Sequence, residues 1–292
     1  MTCAIPLQIL GPSDTAWHPA YCDYVAQVFT QADFRRWCEW GQWSDDYRAF
    51  CLVEDGRVVA NASVSRMRLV VDGDEIEGFQ LGAGGCLPDY RGLGLARRAM
   101  QAALHACGDA PALLFANPTV VDFYPRFGFA AAPQWRFQAD VELHPGVEPA
   151  PVLDLADPAN RAEFLRLAAV SAPSSEVFAA RDYGRIATWY AANGYAAPLR
   201  RLDRDTWVFA QVENGVLTIE DVFAVDPARF DLAAALPRLI DAPVHGLQFG
   251  FGPPRGWAQA GARAIEDDAH LFVRGLDLQA LLAHRFALLA RT

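Results

Sequence analysis

The sequence predicts an α/β (α+β) chain, a mixed and mostly antiparallel sheet flanked by helices, present twice. Three observations carry this reading. The first half holds two hairpin signals and a glycine-rich strand that runs straight into a helix. A hairpin, a helix and further strands recur in the second half, with little residue identity. A proline-rich stretch over residues 143–160 separates the two. A length of 292 residues suits one large or two medium domains, and the boundary is expected near residue 148, giving units of 1–147 and 148–292.

Each element has a local cause. Apolar residues at helical spacing from Trp17 to Gln31 predict the first helix. Asp55-Gly56 and Asp72-Gly73 predict two tight hairpin turns around a long middle strand. Leu87 ends the glycine-rich strand, and the following helix is expected to turn Ala96, Met100, Ala103 and Leu104 inward. Residues 112–116 read as a short buried strand. The stretch NPTVVDFYPRFGF reads as a capped helix, with Asn117 at the N-cap, Pro118 next and Gly128 after its end. In the second half, helices are expected over Arg161–Val170, Glu176–Ala192 and Ala228–Ile240. Strands are expected around the Asn214-Gly215 turn, at Val244–Phe251 and at His270–Arg274.

Composition removes several classes of function. Just over half the residues are hydrophobic and 21% are charged, ample for a packed core. No apolar run approaches the about 18 residues of a membrane span, and the N-terminus lacks a signal-peptide pattern, so no membrane role and a cytoplasmic location are expected. A net charge of −10 argues against nucleic acid as a partner. Six scattered cysteines with no metal-site spacing are read as free thiols, and no metal is expected. The chain has no lysine, which excludes a Schiff base and a P-loop. The sequence leaves self-association open.

The chemistry concentrates in PDYRGLGLARRAM, residues 88–100. A helix begins within the glycines, and the first turn of a helix offers unpaired N–H groups and a positive dipole end to an anion. Glycines let the anion reach the backbone, and Arg91, Arg97 and Arg98 can add charge-assisted bonds. A tight turn with solvated arginines explains the hexapeptide equally well. A dinucleotide loop is disfavoured because Arg97 stands where a third glycine belongs. The pattern [Q/R]-x-x-G-x-[G/A] is met in full by Arg91, Gly94 and Ala96.

On this motif, and on Asn117, Phe123-Tyr124 and Gly128-Phe129 downstream, the chain resembles the GNAT superfamily of acyl-CoA-dependent N-acyltransferases over roughly residues 5–140. The linear order, a hairpin before the loop and a proline-rich linker after it, resembles the tandem branch that includes the enhanced intracellular survival acetyltransferases, whose additional C-terminal domain is not expected here. The resemblance implies acetyl-CoA as cofactor and transfer of an acetyl group to a primary amine of a small molecule: an amine, an amino acid or an amino sugar. The rival readings are a non-catalytic acyl-CoA-binding or sensing protein and a protein N-acetyltransferase.

The resemblance also assigns roles. Backbone groups of Cys86 and Leu87 are expected to hold the pantetheine arm, one of their N–H groups facing the oxyanion. Arg91, Gly92, Leu93, Gly94, Leu95, Ala96 and Arg97 are expected to hold the pyrophosphate, with Asn117 as a further contact. The glycine-rich strand is expected to splay from its neighbour. Tyr124 is the expected proton donor to the departing thiolate, set off a core stripe of Val120, Phe123 and Phe127. Glu77 is the candidate general base, with water or the carboxylate at Thr292 as alternatives. The family places acceptor loops where Trp37, Trp40 and Trp43 lie among Glu39, Asp45 and Asp46; these aromatics read as an acceptor surface for a cationic amine or, equally, as a packed helix face. The second half, with Asp226-Pro227-Ala228-Arg229 and no glycine at the matching helix entry, is read as a degenerate copy that shapes the acceptor cleft.

Overall fold

The computed structural model describes residues 5–226, 231–254, 263–267 and 270–292. Strand β1 (Leu7–Leu10) and helices α1 (His18–Val28) and α2 (Arg35–Glu39) precede a meander of β2 (Tyr47–Glu54), β3 (Arg57–Val71) and β4 (Asp74–Cys86). Both meander turns take positive φ at both central residues, 49° and 76° at Asp55-Gly56 and 49° and 87° at Asp72-Gly73. This geometry suits a two-residue hairpin and favours aspartate followed by glycine. Helix α3 (Leu95–Cys107) leads to β5 (Ala112–Phe115), which runs parallel to β4. A 3-10 helix (Pro118–Phe127) comes next, then β6 (Ala130–Ala131) and β7 (Gln134–Leu143).

The second half comprises β8 (Val152–Leu153), α4 (Pro158–Val170), β9 (Phe178–Arg181), α5 (Gly184–Asn193), β10 (Leu199–Arg201), β11 (Thr206–Glu213) and β12 (Val216–Ala224). It continues with α6 (Leu232–Ala235), β13 (Val244–Phe249), β14 (Arg263–Asp267) and β15 (Leu271–Arg274). The result is two mixed sheets flanked by helices. One runs β1-β2-β3-β4-β5-β15-β6, with β9 joining β3; the other runs β14-β7-β13-β12-β11-β10-β8.

The sheets exchange strands across residue 148. β7, from the first half, sits between β13 and β14, while β15, from the second, sits between β5 and β6. One hydrophobic cluster therefore spans both halves, joining Met67, Leu69 and Leu113 to Phe178, Phe249 and Phe286. A second cluster lies under α3, where Ala99, Met100, Ala103 and Cys107 are buried, while Leu95 packs into a third with Val58, Val59 and Leu87. The buried stripe of α3 has Ala96 and Leu104 at its half-buried margins.

Three expected elements differ. The helix expected over Glu176–Ala192 divides into β9 and α5, because Phe178, Ala179 and Ala180 are wholly buried in pairing with β3 beyond the end of β2. NPTVVDFYPRFGF keeps its expected ends, Asn117 Oδ1 accepting from Thr119 N at 3.0 Å and Gly128 at φ 81°, but winds as a 3-10 helix. Pro125 inside it has no N–H for an α-helical ladder. Pro227–Arg229, where the Ala228–Ile240 helix was expected to begin, lie outside the described residues; the described remainder is α6 and a 3-10 turn, Leu236–Arg238. Cys3 also lies outside them, and the other five cysteines are free thiols. Among the described residues no helix is long and apolar enough to cross a membrane.

Candidate active site

The turn between β4 and α3 is shaped by two glycines. Gly92 and Gly94 adopt φ of 80° and 75°, a left-handed conformation that costs other residues about 1–2 kcal/mol. Neither has another group within 4 Å of the place its Cβ would occupy, so the backbone lies bare. Gly94 is the N-cap of α3, and no side chain caps the first turn. Arg91 and Arg97 are exposed beside it. This end of α3 offers N–H groups, a positive dipole end and two guanidinium groups to an anion.

Beyond this turn the sheet opens. β4 and β5 pair only at Phe79↔Ala112 and Gln80↔Leu113, after which the strands diverge. Against β3, the register of β4 slips by one residue, Asn61 facing Gly85 and Ser63 facing Gly82. The extra residue makes a bulge at Ala83, whose φ is 47°. Asn61, buried, fastens it: Nδ2 donates to Ala83 O and to Ser63 Oγ, each at 2.9 Å. Ser63 bonds the Tyr21 hydroxyl at 3.0 Å, and Tyr21 in turn bonds the Tyr47 hydroxyl.

The opening leads into a cavity of about 470 Å³. Leu81 to Gly84 of β4, and Leu114 to Asn117 at the end of β5, form one part of its wall; Phe34, Trp37 and Tyr47 form another. The second half supplies the rest, with Tyr183, Trp189 and Tyr190 at α5 and Arg291 and Thr292 at the C-terminal segment. That segment is pinned by buried Gln80, which accepts from Thr292 N and donates to Ala290 O, both at 2.8 Å.

Tyr124 lines the cavity from the 3-10 helix, half-buried among the rings of Phe123, Phe129 and Phe272. Burial pushes its phenol pKa up, so it holds its proton at neutral pH. Val120 does not belong to the inner stripe as expected; it is 44% exposed at a kink and lines the cavity, while Phe123 and Phe127 do pack inward. Asn117 lines the cavity while capping the 3-10 helix.

Several expected site residues sit elsewhere. Glu77 is exposed, is not on the cavity wall, and faces Arg66 at 3.9 Å. Cys86 and Leu87 lie past the wall; Cys86 pairs with Ala60, and Leu87 N donates to Val59 O at 2.9 Å, which commits one of the two N–H groups expected to face an oxyanion. The main chain that borders the cavity is two to six residues earlier, at Leu81 to Gly84. Of the four glycines in this strand only Gly84 leaves open space. A Cβ on Gly78 would meet Leu69, one on Gly82 would meet Thr292, and one on Gly85 would meet Val28.

The tryptophans divide as well. Trp37 borders the cavity, its Nε1 donating to Arg185 O at 2.8 Å. Trp43 stays in the core, bonded to Tyr47 O and stacked on His18 with 4.4 Å between ring centroids. Trp40 is off the cavity wall under the Arg161 guanidinium, 4.5 Å from its ring centroid. Of the neighbouring acids only Asp46 borders the cavity, already bound to Arg66. Sequence reasoning missed Tyr183, Trp189, Tyr190 and Arg291, which no local motif marks; the one available signal was that a second half without a glycine loop needs another use.

Residues 13–132 match the family model described as an acetyltransferase (GNAT) domain. Solved structures extend the likeness over nearly the whole chain. A probable N-acyltransferase from Enterococcus faecalis is 14% identical with a TM-score of 0.58, over 92% of this chain and 71% of that one. Eis1 from Mycobacterium abscessus is 17% identical with a TM-score of 0.58, over 98% and 76%. A GCN5-related N-acetyltransferase from Kribbella flavida is 16% identical with a TM-score of 0.54, over 92% and 72%. At such identities they show the fold. No curated protein matches the sequence.

Proposed function

We propose, from the premise that residues 13–132 form a GNAT acetyltransferase domain, that this chain transfers an acetyl group from acetyl-CoA to the primary amine of a small molecule. One observation carries the reading: the divergence of β4 and β5 opens a cavity that holds Tyr124, and the bare glycine turn lies at the end of the same strand β4. A Cβ at Gly92 or Gly94 would stand in the space a diphosphate needs, and an uncapped first turn suits its charge, so these residues fit the cofactor.

In this reading the N–H groups of Gly92 to Ala96, with Arg91 and Arg97, hold the pyrophosphate. The main chain of Leu81 to Gly84 borders the pantetheine arm as a strand edge. Bound acetyl-CoA supplies a thioester, whose acyl group passes to the amine as its thiol is released. The phenol of Tyr124 keeps a proton at Oη for the sulfur, which burial makes available at neutral pH. The second half, a copy of the same fold without the glycine turn, closes the acceptor end of the cavity.

Calorimetry with acetyl-CoA, then thiol release with a panel of amines, tests this. Micromolar acetyl-CoA binding and amine-dependent release are expected. Binding without release from any amine leaves an acyl-CoA-binding protein, and no binding at all removes the cofactor assignment.

A further inference from the structure

The cavity wall carries charge that the acetyl-transfer reading does not use. Its charged side chains are Asp46, Arg66, Asp182, Arg185 and Arg291, and Thr292, whose carboxylate is the alternative base, lines it too. Both side-chain carboxylates are engaged, Asp46 by Arg66 at 2.6 Å and Asp182 by Arg68 at 3.6 Å. Arg291 is placed differently. Its Nη2 donates to Phe286 O at 3.1 Å, and its guanidinium lies 4.1 Å from the Phe115 ring centroid. Its Nε is buried without a hydrogen-bond partner, and it has no ion pair among the described residues. Burial, reinforced by Arg285, lowers its pKa to about 10, which still leaves it charged at neutral pH.

The Arg291 Nε is closed off from the cavity, so the terminal nitrogens are what a cavity anion can reach. A guanidinium on a ring-lined wall, with no ion pair among the described residues, is completed by an anion, and a carboxylate matches its planar fork. The position of Arg291 limits where that carboxylate can belong. Thr292, the next residue, lies against Gly82 of β4, where the strands diverge. An anion held by Arg291 therefore lies in the cavity that opens where β4 and β5 diverge. The remaining wall is rich in rings, including Phe29, Phe34, Trp37, Tyr47, Trp189 and Tyr190.

We propose that the acceptor is an amino acid with an apolar or aromatic side chain, its carboxylate held by Arg291 and its side chain among these rings. The proposal rests on the acetyl-transfer reading. The amine nitrogen forms the amide bond as the carbon–sulfur bond breaks; the proton the amine loses is balanced by the one the sulfur gains.

Matched acceptors test it: phenylalanine against phenethylamine, and leucine against 3-methylbutylamine, each with the full chain and saturating acetyl-CoA. The acid of each pair should exceed its amine in kcat/KM by about tenfold or more, the worth of a charge-assisted hydrogen bond. Arg291→Gln should collapse that ratio to near one, and Arg291→Lys should leave part of it. Calorimetry without the cofactor gives a second readout: N-acetylphenylalanine should bind more tightly than N-acetylphenethylamine to the wild type. Amines that outperform their acids, or a ratio unchanged in a folded Arg291→Gln, would overturn the proposal while leaving acetyl transfer standing. Acetyl-CoA binding with no thiol released from any acceptor would instead remove the reading beneath it.

Discussion

Among the described residues each sheet contains one parallel strand pair, and the two pairs behave differently. In the first, β4 and β5 hold two residue pairs and separate, leaving a cavity at Leu81 to Gly84. In the second, β12 and β13 hold four, Val216↔Gly246 to Ile219↔Phe249, and stay closed beyond them. There Gly250 N donates to Ile219 O at 2.8 Å, and a Cβ on Gly250 would collide with Glu220 O. The C-terminal segment covers that point, Leu288 N donating to Gly250 O at 3.2 Å. The same pairing thus gives a cavity in one sheet and core in the other. The difference arises just past the paired residues: a bulge and two left-handed glycines after Gln80, close main-chain packing after Ile219.

The largest effect should come from filling the first opening. Gly94→Trp should weaken acetyl-CoA binding more than about 100-fold by calorimetry, because a side chain enters the bare turn at a φ of 75°. The control lies in the second half: Gly194 has φ 73° and open space too, but caps α5 and does not line the cavity. Gly194→Ala should cost about 1 kcal/mol of stability and leave binding within twofold. Equal losses would erase the contrast between the two halves.

Next in size is Tyr124→Phe, which removes the proposed proton donor without emptying its place among Phe123, Phe129 and Phe272. Initial rates of thiol release should show kcat about 100-fold lower, with acetyl-CoA affinity unchanged. A fall of less than threefold would assign the proton to water.

The bulge itself can be released. Asn61→Ala removes the bond to the part-buried Ala83 O, costing about 1 kcal/mol in chemical denaturation. If the bulge positions the reacting groups, kcat should fall about tenfold while acetyl-CoA KM changes little; a stability loss with kcat intact would make Asn61 purely structural.

The smallest effect on catalysis should arise in the closed sheet. Asp221 is fully buried on β12 with the Tyr183 hydroxyl at 2.8 and 2.9 Å, and burial pushes its pKa up to about 7. Its folded-state pKa exceeds its unfolded one, near 4, so its contribution to stability is complete below about pH 4 and is lost as pH rises towards 7. Asp221→Asn should therefore raise the melting temperature at pH 8 and flatten its decline between pH 4 and 7. A melting temperature lowered at pH 8 would show that the ionised carboxylate supports Tyr183.

Much of the first half could be read in the sequence because its signals are short. Asp-Gly and Asn-Gly steps specify turns through the φ their residues tolerate, and all three appear where expected, Asn214-Gly215 at φ of 50° and 75°. Gly92 and Gly94 mark the entry to α3 for the same reason. Glu77 misleads because acidic character says nothing about facing. The tryptophans at 37, 40 and 43 share a spacing but not an environment, and only contact with α5 brings one of them to the cavity.

What the sequence determined by itself, then, is conformation over a few residues: where the chain turns, where a helix begins with a bare backbone, and which motif that backbone resembles. Those properties come from local sterics and need no distant partner. Tertiary structure alone decided that β7 and β15 cross between the sheets, that Gln80 draws Thr292 to the diverging strands, and that Arg291 meets Trp37 across one cavity. Such contacts join residues far apart along the chain, and they are set by which surfaces pack together and exclude water, a competition that no short window of sequence records.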